Sequence, residues 1–196
     1  MQARLESGEN TAMRRPESPR IAPTEERPPS LTTVMNAHNV RATLATNPTV
    51  AAGMAAMGRA LLQEGTIAPR ARELVILRMG WHCQSRYEFG QHTLMARTVG
   101  VSDAEIELLT RPLELGSWSA ADRALLEMVD DLYRDDCVSE TTWAELVAHF
   151  DHHDILEYMA ATLFYRMVSG ILNSCGVELD AGVPGWPPVG PAAFKE

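Results

Sequence analysis

Helix-start signals recur along this chain from Leu31 onward, and no run of residues between turn signals alternates apolar and polar in the manner of a strand. Pro48 suits the first turn of a helix through VAAGMAAMGRALLQ, because proline lacks an amide hydrogen and its fixed φ is already helical; Gly65 would stop it. Pro69 opens RARELVILRMGW in the same way. Ser85-Arg86-Tyr87-Glu88 and Ser102-Asp103-Ala104-Glu105 both read S-x-x-E, the capping-box pattern, so one helix should run from Ser85 toward Gly100 and another from Ser102 toward Pro112. Ser119 with Asp122 precedes RALLEMVDDLYRD, and Ser139 caps TTWAELVAHF. The last segment, DILEYMAATLFYRMVSGILNS, is apolar nearly all round, which predicts burial in a bundle or at a subunit interface, and Gly176 would end it. The expectation is an all-α helical bundle of about seven helices. No internal repeat of fixed period stands out, and a pseudo-repeat of helix pairs is left open.

Residues 1–30 mix Pro16, Pro19, Pro23, Pro28 and Pro29 with Arg, Glu and Ser, too polar to offset the entropy of ordering, and read as a disordered or extended arm. Residues 31–180 form the helical domain, and 181–196 a Pro-rich extended tail with Trp186 as its anchor. The net charge of -9 argues against nucleic acid or an anionic membrane as partner, since both need a basic surface. No membrane-length apolar run and no signal-peptide core are read, so a cytoplasmic protein acting on a small molecule is expected. Cys83, Cys137 and Cys175 are odd in number and have no CxxC spacing, which fits a reducing compartment. The one lysine, Lys195, stands next to the last residue, leaving Schiff-base or pyridoxal chemistry without a residue to use.

The stretch ELVILRMGWHCQSRYEFGQH sets Glu73, Ser85, Glu88 and His92 among residues that otherwise look like core. Glu88 and His92 are i, i+4 neighbours on a face shared with Met95, Ala96 and Val99. Burial would lower the His92 pKa and raise that of Glu88, whereas pairing would move both the other way. Folding the preceding helix back on this one could bring Glu73 to the same place, making a Glu-His-Glu proton relay. Each residue also has a plainer role: Ser85 and Glu88 as the halves of a capping box, Glu73 as a first-turn carboxylate on a helix dipole, His92 as a hydrogen-bonded core residue. Elsewhere, His149, His152, His153, Asp154 and Glu157 cluster at a helix start, with His153 and Glu157 at metal-ligand spacing, but a solvated cap is the better reading and no metal is expected. Cys83, beside Trp81, reads as a structural thiol.

PRARELVILRMGWHCQSRYEFGQH resembles the signature of the carboxymuconolactone decarboxylase and alkylhydroperoxidase D-like superfamily, and the similarity extends from about Pro19 to Pro188 through NVRATLATNP, WSAADRALLEMVDDL and YRMVSGILNSCGVELDAGVPGW. The peroxidase branch of that superfamily carries two cysteines between the Glu and the His. Here Glu73 and His92 keep the separation, but Ser85 and Glu88 stand where the cysteines would be. The resemblance therefore implies the decarboxylase-like branch, which uses no metal or organic cofactor. By this reading His92 is the general acid or base, Glu73 orients or recharges it, Glu88 belongs to the relay, and Ser85, Cys83, Trp81 and Tyr87 contact substrate or hold water. Arg70, Arg72 and Arg78 are possible partners for a substrate carboxylate. The superfamily also implies a homo-oligomer, as trimer, hexamer or dimer. Two alternatives stand beside the decarboxylase: a thiol-dependent alkyl hydroperoxide reductase using Cys83, and a non-catalytic helical binding protein.

Overall fold

The computed structural model describes residues 16–22 and 38–187, so the rest of the expected N-terminal arm and the tail beyond residue 187 lie outside the described residues. Eight α-helices follow one another among the described residues: α1 (His38–Leu44), α2 (Pro48–Arg59), α3 (Pro69–His82), α4 (Arg86–Thr98), α5 (Asp103–Leu108), α6 (Ala120–Asp135), α7 (Glu140–His149) and α8 (His152–Cys175). A π turn, Ala60–Glu64, extends α2, and a 3-10 turn, Leu113–Leu115, follows α5; no strand forms among these residues. Proline opens α2 and α3 as expected. Ser102, Ser119, Ser139 and Asp151 cap α5, α6, α7 and α8, each accepting the amide hydrogen three residues on.

The centre of the bundle belongs to α3 rather than to α8. Every residue from Ala71 to Trp81 is buried, and the two sides of α3 serve two core clusters. Val75, Ile76 and Met79 pack with Leu125, Met128 and Val129 of α6 and Ile155, Tyr158 and Leu172 of α8. Leu74, Leu77 and Trp81 pack with Phe89, Ile106 and Leu109. α8 is long and apolar enough, by length and composition alone, to cross a membrane, a property the sequence reading did not register. It lies against α3, α4 and α6 with one face in the core, while Leu156, Leu163 and Met167 remain exposed.

Two latches hold the periphery. Glu157 of α8 accepts hydrogen bonds from the Thr66 amide (3.0 Å) and hydroxyl (3.2 Å), and its carboxylate occupies the place a Cβ would take at Gly65. Glu157 is thereby committed to Thr66, while His153 Nδ1 lies 3.3 Å from its neighbour Asp154. At the other end, Trp186 seats its ring against Trp81 (5.1 Å between centroids) and Phe89 (5.2 Å), the anchoring expected of the tail. The Pro184 carbonyl lies so close to α4 that Gly90 has no room for a side chain. Residues 16–22 meet the end of α8, where the Arg20 amide donates to the Cys175 carbonyl (2.8 Å).

Candidate functional site

The connection between α3 and α4 is three residues long, with Gln84 at φ 51, so α4 folds straight back along α3. Gly80 packs beside the backbone of Phe89, and further along the same contact Glu73 meets His92. Glu73 Oε2 lies 2.7 Å from His92 Nδ1, and Glu88 Oε1 lies 2.8 Å from His92 Nε2. Glu73 is 0% and His92 1% exposed. The expected Glu-His-Glu cluster is therefore assembled. Its two contacts differ in kind: Nδ1 to Glu73 is an aligned hydrogen bond, whereas the Glu88 oxygen approaches Nε2 off the ring N–H direction and leaves it without an aligned partner.

Burial alone would lower the pKa of His92, but the nearby charges of Glu73 and Glu88, and the hydrogen bond to Glu73, outweigh it and raise the value from 6.5 to about 10. The direction of that shift favours the imidazolium, the form in which both ring nitrogens carry hydrogens. Arg72 supplies a second cation 3.6 Å from Glu73 Oε1, while its Nη1 donates to the Leu61 carbonyl (3.2 Å).

A cavity of about 210 Å³ opens onto this cluster. Glu88, His92, Gln91 and Tyr87 of α4 line one side, Phe164, Tyr165 and Val168 of α8 another. Residues of α2 at helical spacing, Ala51, Met54, Ala55 and Gly58, close it together with Val40 and Leu44 of α1. The wall combines these apolar side chains with Arg41, Arg59, Gln63 and Gln91 beside the acid–base groups. A larger, open groove of about 710 Å³ between the start of α4 and the end of α8 reaches neither His92 nor either glutamate of the cluster, so the smaller cavity is the one placed for chemistry.

The remaining candidates separate. Tyr87 lines the cavity, and its hydroxyl donates to Asp180 (2.5 Å), which also receives Gln91 Nε2 (2.7 Å) and the Asn39 amide (3.0 Å). Trp81, Cys83 and Ser85 are not among the residues lining that cavity. Trp81 belongs to the second core cluster, Cys83 Sγ rests 3.6 Å from Met79 Sδ, and Ser85 is wholly buried. Ser85 occupies the N-cap position of α4 but its hydroxyl makes no cap bond, and Glu88 faces His92, so the expected capping box does not form there. Glu73 lies beyond the first turn of α3, which removes the helix-dipole role. Arg70 pairs with Glu105 and Asp122, and Arg78 with Asp130, so neither waits for a substrate.

Sequence reading missed Tyr165, whose ring stands edge-on to His92 with centroids 4.6 Å apart, and Asp180, which ties Tyr87 and Gln91 to α1. The only local hint of Tyr165 was a polar tip inside the apolar run of α8. Asp180 gave no signal, being joined to its partners only through the fold.

Residues 48–131, which contain the whole cluster, match the family model described as "CMD: Carboxymuconolactone decarboxylase family". No curated protein matches the chain. Solved structures share the fold at low identity. A protein of unknown function from Agrobacterium tumefaciens, described as a candidate antioxidant defence protein AhpD, is 19% identical, with a TM-score of 0.66 over 70% of this chain and 94% of that one. An uncharacterized peroxidase-related protein from Silicibacter sp. is 18% identical, with a TM-score of 0.67 over 74% of this chain and 78% of its own. The debrominase Bmp8, in complex with 2,3,4-tribromopyrrole, is 12% identical, with a TM-score of 0.65 over 74% and 77%.

Proposed function

We propose that this chain, whose residues 48–131 match the carboxymuconolactone decarboxylase family model and whose fold is shared with AhpD-like proteins, is a cofactor-independent, decarboxylase-like lyase acting by proton transfer on a small cyclic carboxylic acid or lactone. The observation that supports this reading is a buried imidazole within 2.7 and 2.8 Å of two glutamate carboxyl groups, on the wall of a cavity. Loss of CO2 from such an acid leaves an electron pair that a conjugated ring carbonyl takes up as a dienolate, and one proton must then reach carbon. His92 is favoured as the imidazolium and its Nε2 has no aligned partner in the protein, so the Nε2 hydrogen is the proton to give. Glu73 keeps the Nδ1 hydrogen and fixes the ring. Glu88, which lines the cavity and touches Nε2, takes up a proton from solvent and passes it to the imidazole after transfer. The apolar part of the wall excludes water that would otherwise compete for the dienolate.

The thiol-peroxidase alternative has less support, since Cys83 is not on the cavity wall and rests against Met79. A cavity reaching His92 also weighs against a purely structural protein. The exposed Leu156, Leu163 and Met167 of α8 favour a working homo-oligomer. The deciding assay is CO2 release from a panel of cyclic acids and lactone acids. His92→Gln and Glu73→Gln should each slow turnover by on the order of 10²–10⁴ while leaving fold and assembly unchanged. Normal turnover in both variants sinks the proposal.

A further inference from the structure

Arg70, Arg72 and Arg78, the arginines that the sequence places nearest the relay, do not line the cavity that reaches His92. Two others do. Arg41 comes from α1 and Arg59 from α2, where Ala51, Ala55 and Arg59 recur every fourth residue and so share the face that closes the cavity. The side chain of Arg59 is more than half exposed, and its Nε alone is used, donating to Glu64 Oε1 at 3.2 Å. With both partners open to solvent, that ion pair is weak. The terminal nitrogens of Arg59 have no partner among the described residues, and they offer the parallel N–H pair that matches the two oxygens of a carboxylate.

Charge on this wall runs against that of the whole protein. The chain carries a net -9, yet Arg41, Arg59 and His92 face the cavity against the single carboxylate of Glu88. Tyr87 and Tyr165, also on the wall, are held neutral by burial, while Glu73 and Asp180 stand behind it, already bonded to His92 and to Tyr87. A concave site of reversed sign concentrates anions. It also orients them, because Glu88 stands on α4 and the arginines on α1 and α2, so repulsion from Glu88 turns a carboxylate toward the arginines. A guanidinium stabilises a carboxylate while it keeps its charge and therefore opposes its loss as CO2. The carboxylate held here is one that the reaction keeps.

We propose that Arg59, with Arg41 on the same wall, determines the specificity of this site by holding a carboxylate that the ligand retains, so that ring acids and their acid products bind and neutral lactones do not. This rests on the proton-transfer reading and narrows its substrates to anions. The departing carboxyl group then lies at the α4 end. There its C–C bond breaks, the electron pair passes into the ring carbonyl, and the His92 proton forms the new C–H bond.

The test is a binding measurement that needs no turnover. Benzoate and its neutral isostere benzamide are titrated calorimetrically into the full-length protein and into Arg59→Met, Arg59→Lys and Ala55→Phe. Benzoate should bind the wild type about tenfold more tightly than benzamide. Arg59→Met should weaken benzoate about tenfold and leave benzamide unchanged. Arg59→Lys should recover part of the loss, since an ammonium keeps the charge without the fork. Ala55→Phe, which places a ring in the cavity from the same face of α2, should abolish benzoate binding. No benzoate binding by the wild type, benzamide binding as tight as benzoate, equal benzoate affinity in wild type and Arg59→Met, or benzoate binding that survives Ala55→Phe would each overturn the proposal. If benzoate binds as described but no acid releases CO2, the lyase reading fails and the carboxylate site stands. CO2 release with the same KM in wild type and Arg59→Met would leave the lyase reading standing and remove the role of Arg59.

Discussion

Helix α3 carries a buried ion cluster toward each end, and the two are finished differently. Near its C-terminus Arg78 donates through Nε (2.7 Å) and Nη2 (2.8 Å) to both oxygens of Asp130, and through Nη1 to the carbonyls of Leu109 (2.8 Å) and Arg111 (2.7 Å). His82 Nε2 closes on the same carboxylate at 2.6 Å. Near the N-terminus, Arg72 Nε, Glu73 Oε1 and His92 Nε2 are buried without an aligned partner. A network whose donors and acceptors are matched acts as a staple, here between α3, the loop after α5, and α6. One with open valences beside a cavity keeps them for something that enters. The contrast separates structure from function among residues that all read as buried charge.

The largest effect should come from the satisfied cluster. Arg78→Met leaves Asp130 partly buried without its guanidinium and strips two carbonyls of their donor, which should cost about 3–5 kcal/mol in denaturant unfolding. Activity per folded molecule should be unchanged. A cost below about 1 kcal/mol would mean that the staple is no better finished than the site, and the distinction would collapse.

Next comes pH, where the two clusters should respond at opposite ends. The folded pKa of His92 is raised to about 10, so its contribution to stability is complete below the unfolded value of 6.5 and is lost as pH rises through about 10. That of Asp130 is lowered from 3.8 to about 2: burial opposes the charge, but the hydrogen bonds from Arg78 and His82 prevail. Its contribution is present above 3.8 and lost as pH falls through about 2. Urea midpoints for the wild type and Asp130→Asn should therefore converge by on the order of 2 kcal/mol between about pH 4 and 2. The gap between wild type and His92→Gln should narrow only on the alkaline side. Any activity that uses His92 as an acid should fall along the same alkaline limb, and a rate that rises there would make His92 the base instead.

Much of the fold was legible because helix starts are local. Pro48, Pro69, Ser119 and Ser139 act on amides within a turn of themselves, and each helix begins where its signal stands. The meeting of Glu73, Glu88 and His92 was legible too, since one contact is an i, i+4 neighbour and the other lies across a three-residue turn. What escaped depends on distant contacts. Burial on all sides of α3 could not be seen in a helix bearing Arg72, Glu73 and Arg78, because their partners are supplied by the π turn after α2, by α4 and by α6. The cavity wall from α1 and α2, and Tyr165 from α8, are likewise assembled only by tertiary packing.

The finest test uses two serines with the same motif. At Ser102 both halves of the box form: Ser102 Oγ accepts from the Glu105 amide (3.3 Å) and Glu105 accepts from the Ser102 amide (2.9 Å). At Ser85 the amide donates instead to the Gly80 carbonyl (2.9 Å), as the short α3–α4 turn requires, so Glu88 has no amide there to reach back for and its carboxylate turns to His92. Ser102→Ala should therefore cost about 1 kcal/mol. Ser85→Ala, which deletes a buried hydroxyl with no partner, should change stability by less than about 0.5 kcal/mol or raise it. If the two substitutions cost the same, Ser85 and Glu88 form a box in solution after all. Glu88 would then be held at the helix start, and His92 would keep only Glu73, leaving the cavity side of the relay without its carboxylate.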